Sequence, residues 1–286
     1  MPVTRIVTLS DGRDLAYEEY GDPGGQPVLS FHGAPSSRLD AAPAHEAAAS
    51  LGVRLISPDR PGIGRSTYQA NRRLLDWPGD VAQLTDVLGI DRFAVMGWSS
   101  GGPYAAACAA RMEGRVTAAA LLSSAVPLDL YGTTRGLSTD DRILLYLVRR
   151  APRLASALMR VTIADASTAR LLREVKRTLP AVDRAALAAY GSAGGAVGFL
   201  KEAMRQGTQG CLQDYRIFGG PWGFALEEIE IPVRIWEGGA DHTGPPGYRQ
   251  YLLRHIPHAS VTVVPGEGHL SLLPHHAGDI LRGLLG

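Results

Sequence analysis

One serine in this chain stands in a pattern typical of catalytic nucleophiles. Ser99 is the central residue of the segment Gly97–Gly101, whose sequence GWSSG follows an apolar run and precedes a helical pattern. A sharp turn from a strand into a helix lifts the serine oxygen above the edge of a sheet, near the positive end of the helix dipole. Small flanking residues let the strand and the helix approach each other. The pattern therefore predicts that Ser99 is a nucleophile.

A serine hydroxyl attacks readily only when a base removes its proton, and one histidine is best placed for that task. His269 follows the last predicted strand in the sequence GEGH and precedes the closing helix, so we expect it at the same sheet edge as Ser99. Of the other seven histidines, five fall in or at the ends of helical patterns, and His242 adjoins the candidate acid. His32 belongs to a loop with a different role. The sequence predicts His269 as the general base.

An acid must orient the base and stabilise its charged form, and two aspartates compete for this role. Asp241 follows the strand predicted at Val233–Glu237, in the sequence GGAD, at the edge expected to carry Ser99 and His269. A plain turn aspartate among glycines is the other interpretation of Asp241. Asp129 follows the preceding predicted strand and is the alternative acid. We assign the acid to Asp241.

The chemistry also needs donors for the negative oxygen of the tetrahedral intermediate. The backbone N–H of Ser100, the residue after the nucleophile, is one candidate. The N–H of Ala34 is the second, in the loop 32–35 that follows the third predicted strand. Gly33 gives this loop the freedom to turn an amide inward. We expect the ring of His32 to support the loop rather than to act as a second base.

Short apolar runs alternate with helical patterns along the chain, which indicates a mostly parallel sheet flanked by helices. An Asp-Gly pair at 11–12 predicts a hairpin, so the sheet begins with antiparallel strands. The eight predicted strands are Val3–Leu9, Leu15–Tyr20, Pro27–Phe31, Arg54–Pro58, Phe93–Gly97, Val116–Leu122, Val233–Glu237 and Ser260–Val264.

About a hundred residues between the sixth and seventh predicted strands contain helical patterns and no convincing strand, and a connection of that length is rarely a bare loop. We predict a helical cap at 127–228, inserted between core segments 1–126 and 229–286. Its predicted helices are Asp141–Arg150, Pro152–Val161, Ser167–Leu179, Pro180–Tyr190 and Gly198–Gln206. The aromatic residues expected to form walls of a substrate pocket are Trp98, Tyr131, Tyr146, Phe199, Phe218 and Trp222.

Five motifs in order resemble those of the α/β-hydrolase superfamily: HGAP at 32–35, PDRPGIGRS at 58–66, the serine turn, GGAD and GEGH. The chain is most similar to the capped branch that contains proline iminopeptidases, cofactor-free haloperoxidases and small-ester hydrolases. This resemblance implies an eight-stranded, mostly parallel sheet with an inserted helical cap, and a structural role for Asp59–Ser66. A serine nucleophile argues against the aspartate-dependent dehalogenase and epoxide hydrolase chemistries of the same fold.

The composition of the 286 residues, 45% apolar and 20% charged, is that of an ordinary globular domain. Because 29 basic residues face 28 acidic ones, no chain-wide field favours nucleic acid or an anionic membrane, and a small-molecule substrate is the expected partner. No signal-peptide pattern appears and no apolar run approaches the ~20 residues that cross a bilayer, so a cytoplasmic enzyme is expected. No metal-ligand spacing or nucleotide-binding loop is present, so no metal or cofactor is expected. The sequence leaves open whether two copies of the chain form a homodimer.

The leading functional interpretation is hydrolysis of a small or medium carboxylic ester or lactone through an acyl-enzyme on Ser99. A proline iminopeptidase is the nearest alternative and would need cap carboxylates such as Glu174 or Glu202 near the substrate amine. A cofactor-free perhydrolase or a carbon–carbon bond hydrolase would use the same three residues. The non-catalytic alternative is a hydrolase-like receptor, against which the intact Ser, Asp and His argue.

Overall fold

The computed structural model describes residues 3–131, 137–191, 195–244 and 247–285, with only the backbone of Tyr131, and its centre is an eight-stranded sheet. The order in the sheet is β1-β2-β4-β3-β5-β6-β7-β8. Strand β2 runs antiparallel to both neighbours, and every other pair is parallel. The strands are β1 Arg5–Thr8, β2 Asp14–Gly21, β3 Gln26–Phe31, β4 Val53–Pro58, β5 Phe93–Trp98, β6 Val116–Leu122, β7 Val233–Gly238 and β8 Ala259–Val264. The predicted sheet is confirmed.

The central strands are apolar on both faces because helices cover both sides of the sheet. All six residues of β5 are buried. Since successive side chains point to opposite faces, Phe93 and Val95 pack in one hydrophobic core while Ala94 and Met96 pack in the other. The sheet therefore lies between two cores, and the segments that carry Ser99, Asp241 and His269 leave it at its carboxyl edge.

Helices flank the sheet and also fill the long connection between β6 and β7, which we call the insertion. The α-helices are α1 His45–Ser50, α2 Trp77–Val87, α3 Gly102–Arg111, α4 Leu128–Tyr131, α5 Thr139–Arg150, α6 Pro152–Met159, α7 Thr168–Thr178, α8 Ala181–Ala186, α9 Gly198–Ala203, α10 Gln209–Phe218, α11 Gly247–His255 and α12 Leu272–Leu285. In the residues the structure describes, no helix combines the length and the apolar character needed to span a bilayer.

The insertion packs on the sheet through buried apolar side chains such as Leu145, Val148 and Leu212, which share a core with β3 and β5. Its described residues contain helices and turns and no strand. The sequence around Cys211 was interpreted as helical, but no bounds were predicted for α10, because its buried face carries Gln213 and Asp214, and polar residues there break the apolar periodicity. The boundaries 127 and 228 stay a prediction.

Candidate active site

Ser99 lies in a single 3₁₀ turn between β5 and α3, where its sequence pattern predicts it. Its φ of +56° is in the left-handed region that non-glycine residues rarely occupy. A side chain at Gly101 would collide with the carbonyl oxygen of Phe31, and one at Gly97 would collide with the carbonyl oxygen of Gly101. The glycines of the motif are therefore required for the close approach of strand and helix.

The ring of His269 is oriented by Asp241. Nδ1 of His269 lies 2.7 Å from Oδ2 of Asp241. The two residues follow β8 and β7, which are neighbouring parallel strands, so their loops leave the same edge of the sheet. A carboxylate at Nδ1 holds the ring proton there and leaves Nε2 as the acceptor for a hydroxyl proton.

Thr243, which the sequence analysis did not single out, completes this pair. Its backbone N–H donates to Oδ1 of Asp241 at 2.8 Å, and its hydroxyl donates to the same oxygen. The hydroxyl oxygen also lies 2.7 Å from Nδ1 of His269. An aspartate that accepts from the backbone two residues later is a recognisable turn pattern, so Thr243 had a sequence signal.

Burial and mutual attraction act in opposite directions on Asp241 and His269. Burial favours the neutral form of each group, whereas each charge stabilises the charge of its partner. For Asp241 burial is outweighed by the His269 charge and by the Thr243 donors, so its pKa is held well below the ordinary range. For His269 burial is outweighed mainly by the Asp241 carboxylate, so its pKa is raised above the ordinary 6.5. Asp241 therefore stays ionised at neutral pH, and His269 is a stronger base.

Ser99 and His269 line the same cavity, of about 280 Å³, between the sheet edge and the insertion. Trp98 lines it from the core side, with its ring centroid 5.0 Å from that of His269. Its indole N–H donates to the carbonyl oxygen of His269 at 3.0 Å. The apolar wall contributed by the insertion consists of Leu137, Val175, Leu179, Phe199, Leu200 and Phe218. Ser99 and His269 thus line one largely apolar pocket.

Ala34 and Ser100, which carry the candidate oxyanion donors, line this cavity beside Ser99. A Cβ atom at Gly33 would lie 3.5 Å from the Cβ of Ser99 and 3.1 Å from the ring of Trp98. The loop therefore approaches Ser99 closely. Within the described residues, the Ala34 N–H has no hydrogen-bond acceptor. An unpaired N–H beside the nucleophile is what an oxyanion donor requires.

A buried polar network supports the loop 32–35 from below. Arg60, fully buried, donates to the carbonyl oxygen of His32 and, at 2.7 Å, to that of Gly33. The ring of His32 lies with Nδ1 2.8 Å from the Gly33 carbonyl oxygen and accepts the Arg60 backbone N–H at Nε2. Burial, assisted by the Arg60 charge, lowers the pKa of His32 well below its ordinary value. His32 is neutral, and it supports the loop as the sequence predicts.

Asp214 balances this network from the insertion helix α10. Its carboxylate accepts from Arg60 at 2.8 Å, from Arg72 and, at 3.0 Å, from the hydroxyl of Tyr104. Burial opposes the carboxylate charge, but Arg60 and Arg72 lower the pKa of Asp214 well below its ordinary value. No sequence signal identified Asp214, because its partners lie more than a hundred residues away along the chain.

The remaining predicted site residues are the alternative acid and three aromatic residues expected in the pocket wall. The alternative acid, Asp129, is exposed on α4, and Asp241 is the carboxylate bonded to the ring of His269. The side chain of Tyr131 lies outside the described residues. The prediction for Tyr146 and Trp222 is wrong, because neither lines the cavity.

The physical reasons for these two errors differ. Tyr146 is 66% exposed, because the buried face of α5 is formed by Leu145 and Val148 instead. Trp222 is buried in the core, with its ring centroid 6.0 Å from that of Phe224. Helical periodicity places a residue on a face, and it does not show which face meets the cavity.

Comparisons with known proteins place this geometry in a family. A model described as the alpha/beta hydrolase fold matches residues 26–276. A non-heme chloroperoxidase of Streptomyces lividans is 38% identical over 122 residues, which are 42% of this chain and 44% of that protein. A bifunctional esterase/perhydrolase of Acinetobacter calcoaceticus is 37% identical over 123 residues, again 42% and 44%. Each match thus spans less than half of the relative.

Solved structures resemble the chain over its whole length. One, titled as novel epoxide hydrolases of the alpha/beta hydrolases superfamily from metagenomes of hot environments, covers 100% of this chain and 99% of that chain. The TM-score is 0.74 at 22% sequence identity, so this likeness concerns the fold alone.

Proposed function

Because this chain belongs to the α/β-hydrolase family, we propose that it is a serine hydrolase that cleaves a small or medium carboxylic ester or lactone through an acyl-enzyme on Ser99. The observation that carries the proposal is that Ser99 and the Asp241-bound His269 line one apolar cavity beside a free backbone N–H. A cavity of about 280 Å³ is near the lower limit of small-molecule pockets, roughly 300 Å³, which favours a modest acyl group.

The proposed reaction has two halves. His269 takes the hydroxyl proton while Oγ of Ser99 bonds to the acyl carbon, and the tetrahedral oxyanion is stabilised by the N–H groups of Ala34 and Ser100. The carbon–oxygen bond to the alcohol then breaks, and His269 returns the proton to the departing oxygen. Water attacks the acyl-enzyme in the same way, His269 again accepts and returns a proton, and the acid leaves. Asp241 stays ionised and stabilises the imidazolium in both halves.

We propose that the insertion, with the boundaries 127–228, acts as the cap that selects the acyl group. The apolar wall from α7, α9 and α10 supports this role, because it faces the nucleophile across the cavity. Apolar walls exclude water and strengthen the electrostatic interactions at the reacting atoms.

Active-site labelling tests this function directly. The protein is incubated with a fluorophosphonate, and the modified peptide is identified by mass spectrometry beside the variant Ser99→Ala. We expect one label on Ser99, none on the variant, and hydrolysis of p-nitrophenyl butyrate by the wild type alone. Unlabelled wild-type Ser99 in a folded protein would refute the proposal.

A second candidate function, a proline iminopeptidase, draws support from one carboxylate. The two expected carboxylates lie elsewhere, since Glu174 pairs with Arg177 on an exposed face and Glu202 pairs with Arg38. Asp141, at the start of α5, lines the cavity and makes none of the ion pairs found among the described residues.

Substrate comparison separates the two functions. The wild type and Asp141→Asn are assayed with prolyl p-nitroanilide and with p-nitrophenyl butyrate. An iminopeptidase would favour the prolyl amide, and the variant would lose that preference; an esterase would favour the butyrate in both proteins.

A further inference from the structure

The direction of the Ala34 N–H is set by the hydrogen bonds of its own peptide group. The peptide bond between Gly33 and Ala34 is trans, so its C=O and N–H point in opposite directions. The Gly33 carbonyl oxygen is held at 2.7 Å by Nη2 of Arg60 and at 2.8 Å by Nδ1 of His32. Holding the carbonyl toward the buried network turns the N–H toward the opposite side of the peptide.

The preceding peptide group, between His32 and Gly33, is held at both its carbonyl oxygen and its N–H. Its carbonyl oxygen, on His32, accepts from Nη1 of Arg60, while its N–H, on Gly33, donates to Oδ2 of Asp40 at 3.1 Å. One guanidinium therefore binds two consecutive carbonyl oxygens, which a planar fork of donors does well. Because one side chain binds both carbonyl oxygens, neither peptide group can rotate independently of the other.

Arg60 is itself held by the insertion. Its positive charge is fully buried, and Asp214 on α10 is the carboxylate that balances it. The next residue of α10, Tyr215, and Phe218 one turn later line the substrate cavity. The helix that lines the cavity with these rings thus also holds Arg60 through the adjacent aspartate.

We propose that Arg60 is a positioning residue that aims the Ala34 N–H at the reacting oxygen, and that Asp214 fixes Arg60 from the insertion. This inference rests on the proposed function of Ser99. It assigns the segment 59–66, expected from the resemblance to be structural, an indirect part in transition-state stabilisation, through the peptide group that Arg60 holds.

The variant Arg60→Lys tests the two guanidinium donors of Arg60 while keeping the positive charge. An ammonium group still pairs with Asp214 but lacks the planar donors that reach two carbonyl oxygens. The matched control is Arg72→Lys, because Arg72 is also buried against Asp214 and Tyr104 but makes no hydrogen bond to the loop. The two variants therefore differ mainly in whether the hydrogen bonds to the carbonyl oxygens of His32 and Gly33 are lost.

We expect Arg60→Lys to lower kcat for p-nitrophenyl butyrate by about 10- to 100-fold with little change in KM. Loss of a whole oxyanion donor costs about 100- to 1000-fold, and a misdirected donor keeps part of that effect. Affinity for phenylboronic acid, which forms a tetrahedral anion on the serine, should fall by the same factor. Arg72→Lys should keep kcat and the boronate affinity within about threefold.

Equal losses of kcat in the two lysine variants, or an unchanged kcat in Arg60→Lys, would overturn the inference. If Arg60→Lys does not fold, Asp214→Asn and its control Tyr104→Phe provide the same comparison, since Tyr104 bonds Asp214 without contacting the loop. A wild type that neither hydrolyses the ester nor accepts the fluorophosphonate would instead refute the proposed function.

Discussion

At the scale of single residues, the site depends on how three groups share one proton network. Asp241 accepts from Thr243 at one oxygen and meets His269 at the other, so its charge is directed at Nδ1. A fixed Nδ1 proton leaves Nε2 unprotonated and able to accept from a hydroxyl. The basicity of His269 is therefore the property that pH and mutation should change first.

The acid limb of the pH–rate profile should report the raised pKa of His269. Protonated His269 cannot accept the Ser99 proton, so kcat/KM is lost as the pH falls through the His269 pKa, which lies above 6.5 because Asp241 stabilises the imidazolium. Asp241→Asn should move this limb to lower pH and reduce kcat by about 10³- to 10⁴-fold, as the carboxylate no longer stabilises the charge.

The measurement is kcat/KM for a neutral ester between pH 4 and 9. Asp279→Asn is the matched control, because Asp279 pairs only with surface residues such as Arg282. The assignment of Asp241 as the acid that orients His269 is contradicted if the acid limb of the wild type has its midpoint below pH 6.5. It is also contradicted if Asp241→Asn leaves that midpoint unchanged.

Thr243 should contribute through its hydroxyl rather than its bulk. Thr243→Val keeps the shape and the backbone N–H bond to Asp241 but removes the hydroxyl donor. Loss of one hydrogen bond to a charged group is worth about 1.5–3 kcal/mol, which is roughly a 10- to 150-fold fall in kcat if the bond acts in the transition state. Thr243→Ser, which keeps the hydroxyl, should recover most of the rate in the same assay, and a serine variant as slow as the valine variant would argue against this role.

At the scale of elements, the loop that carries His269 is anchored by a carboxylate from the insertion. Asp183 on α8 accepts the backbone N–H groups of His269, Leu270 and Ser271 at 3.0, 3.0 and 2.9 Å. Three donors on one carboxylate fix the backbone of this loop and therefore the origin of the His269 side chain.

Gly268 is the point at which this anchor should be most sensitive. A Cβ atom at Gly268 would collide with the carboxylate of Asp183, so Gly268→Ala must displace the anchor or the loop. We expect an at least tenfold fall in kcat and a free energy of unfolding lower by about 1–3 kcal/mol, the cost of disturbing buried hydrogen bonds.

The matched control is Gly278→Ala in the helix α12. The nearest atoms to a Cβ there belong to the flexible tip of Arg282, at 3.4 Å, and alanine favours the helix by up to about 1 kcal/mol. Urea unfolding and steady-state kinetics are measured on both variants. If Gly268→Ala and Gly278→Ala have the same kcat and the same free energy of unfolding, Asp183 does not hold the His269 loop.

The strands and helices show which parts of the structure the sequence patterns predict. The strands were predicted within about two residues because apolar β-branched runs bounded by turn residues have a clear signal. The chemistry at the strand ends followed, since loops after neighbouring parallel strands must meet at one edge. Asp183 and Asp214 had no such signal, because a buried carboxylate is identified only by partners that folding brings to it, 86 and 154 positions away.

At the scale of the whole molecule, three acidic residues of the insertion hold the core. Asp183 bonds the His269 loop, Glu202 pairs with Arg38, and Asp214 pairs with Arg60. All three are buried. The two hydrophobic cores that flank the sheet also contain side chains from both the sheet and the insertion, such as Val95 with Leu145 in one core and Val28 with Phe199 in the other. The insertion is therefore bound to the sheet by charge as well as by apolar contact.

Because of these contacts, the insertion and the sheet should unfold together. Separating them would leave Arg60 buried without its carboxylate partner, Asp214, or would require the core to open, and breaking one buried pair costs about 3–5 kcal/mol. Calorimetry, far-ultraviolet circular dichroism and tryptophan fluorescence should therefore report one coincident transition. Asp214→Asn should lower its midpoint as a single step, whereas Arg73→Ala, which removes an exposed pair with Asp76, should leave it nearly unchanged. Two transitions in the wild type, with helix lost before the tertiary signal of the sheet, would mean that the insertion is an independent unit and that these buried pairs do not couple it to the active site.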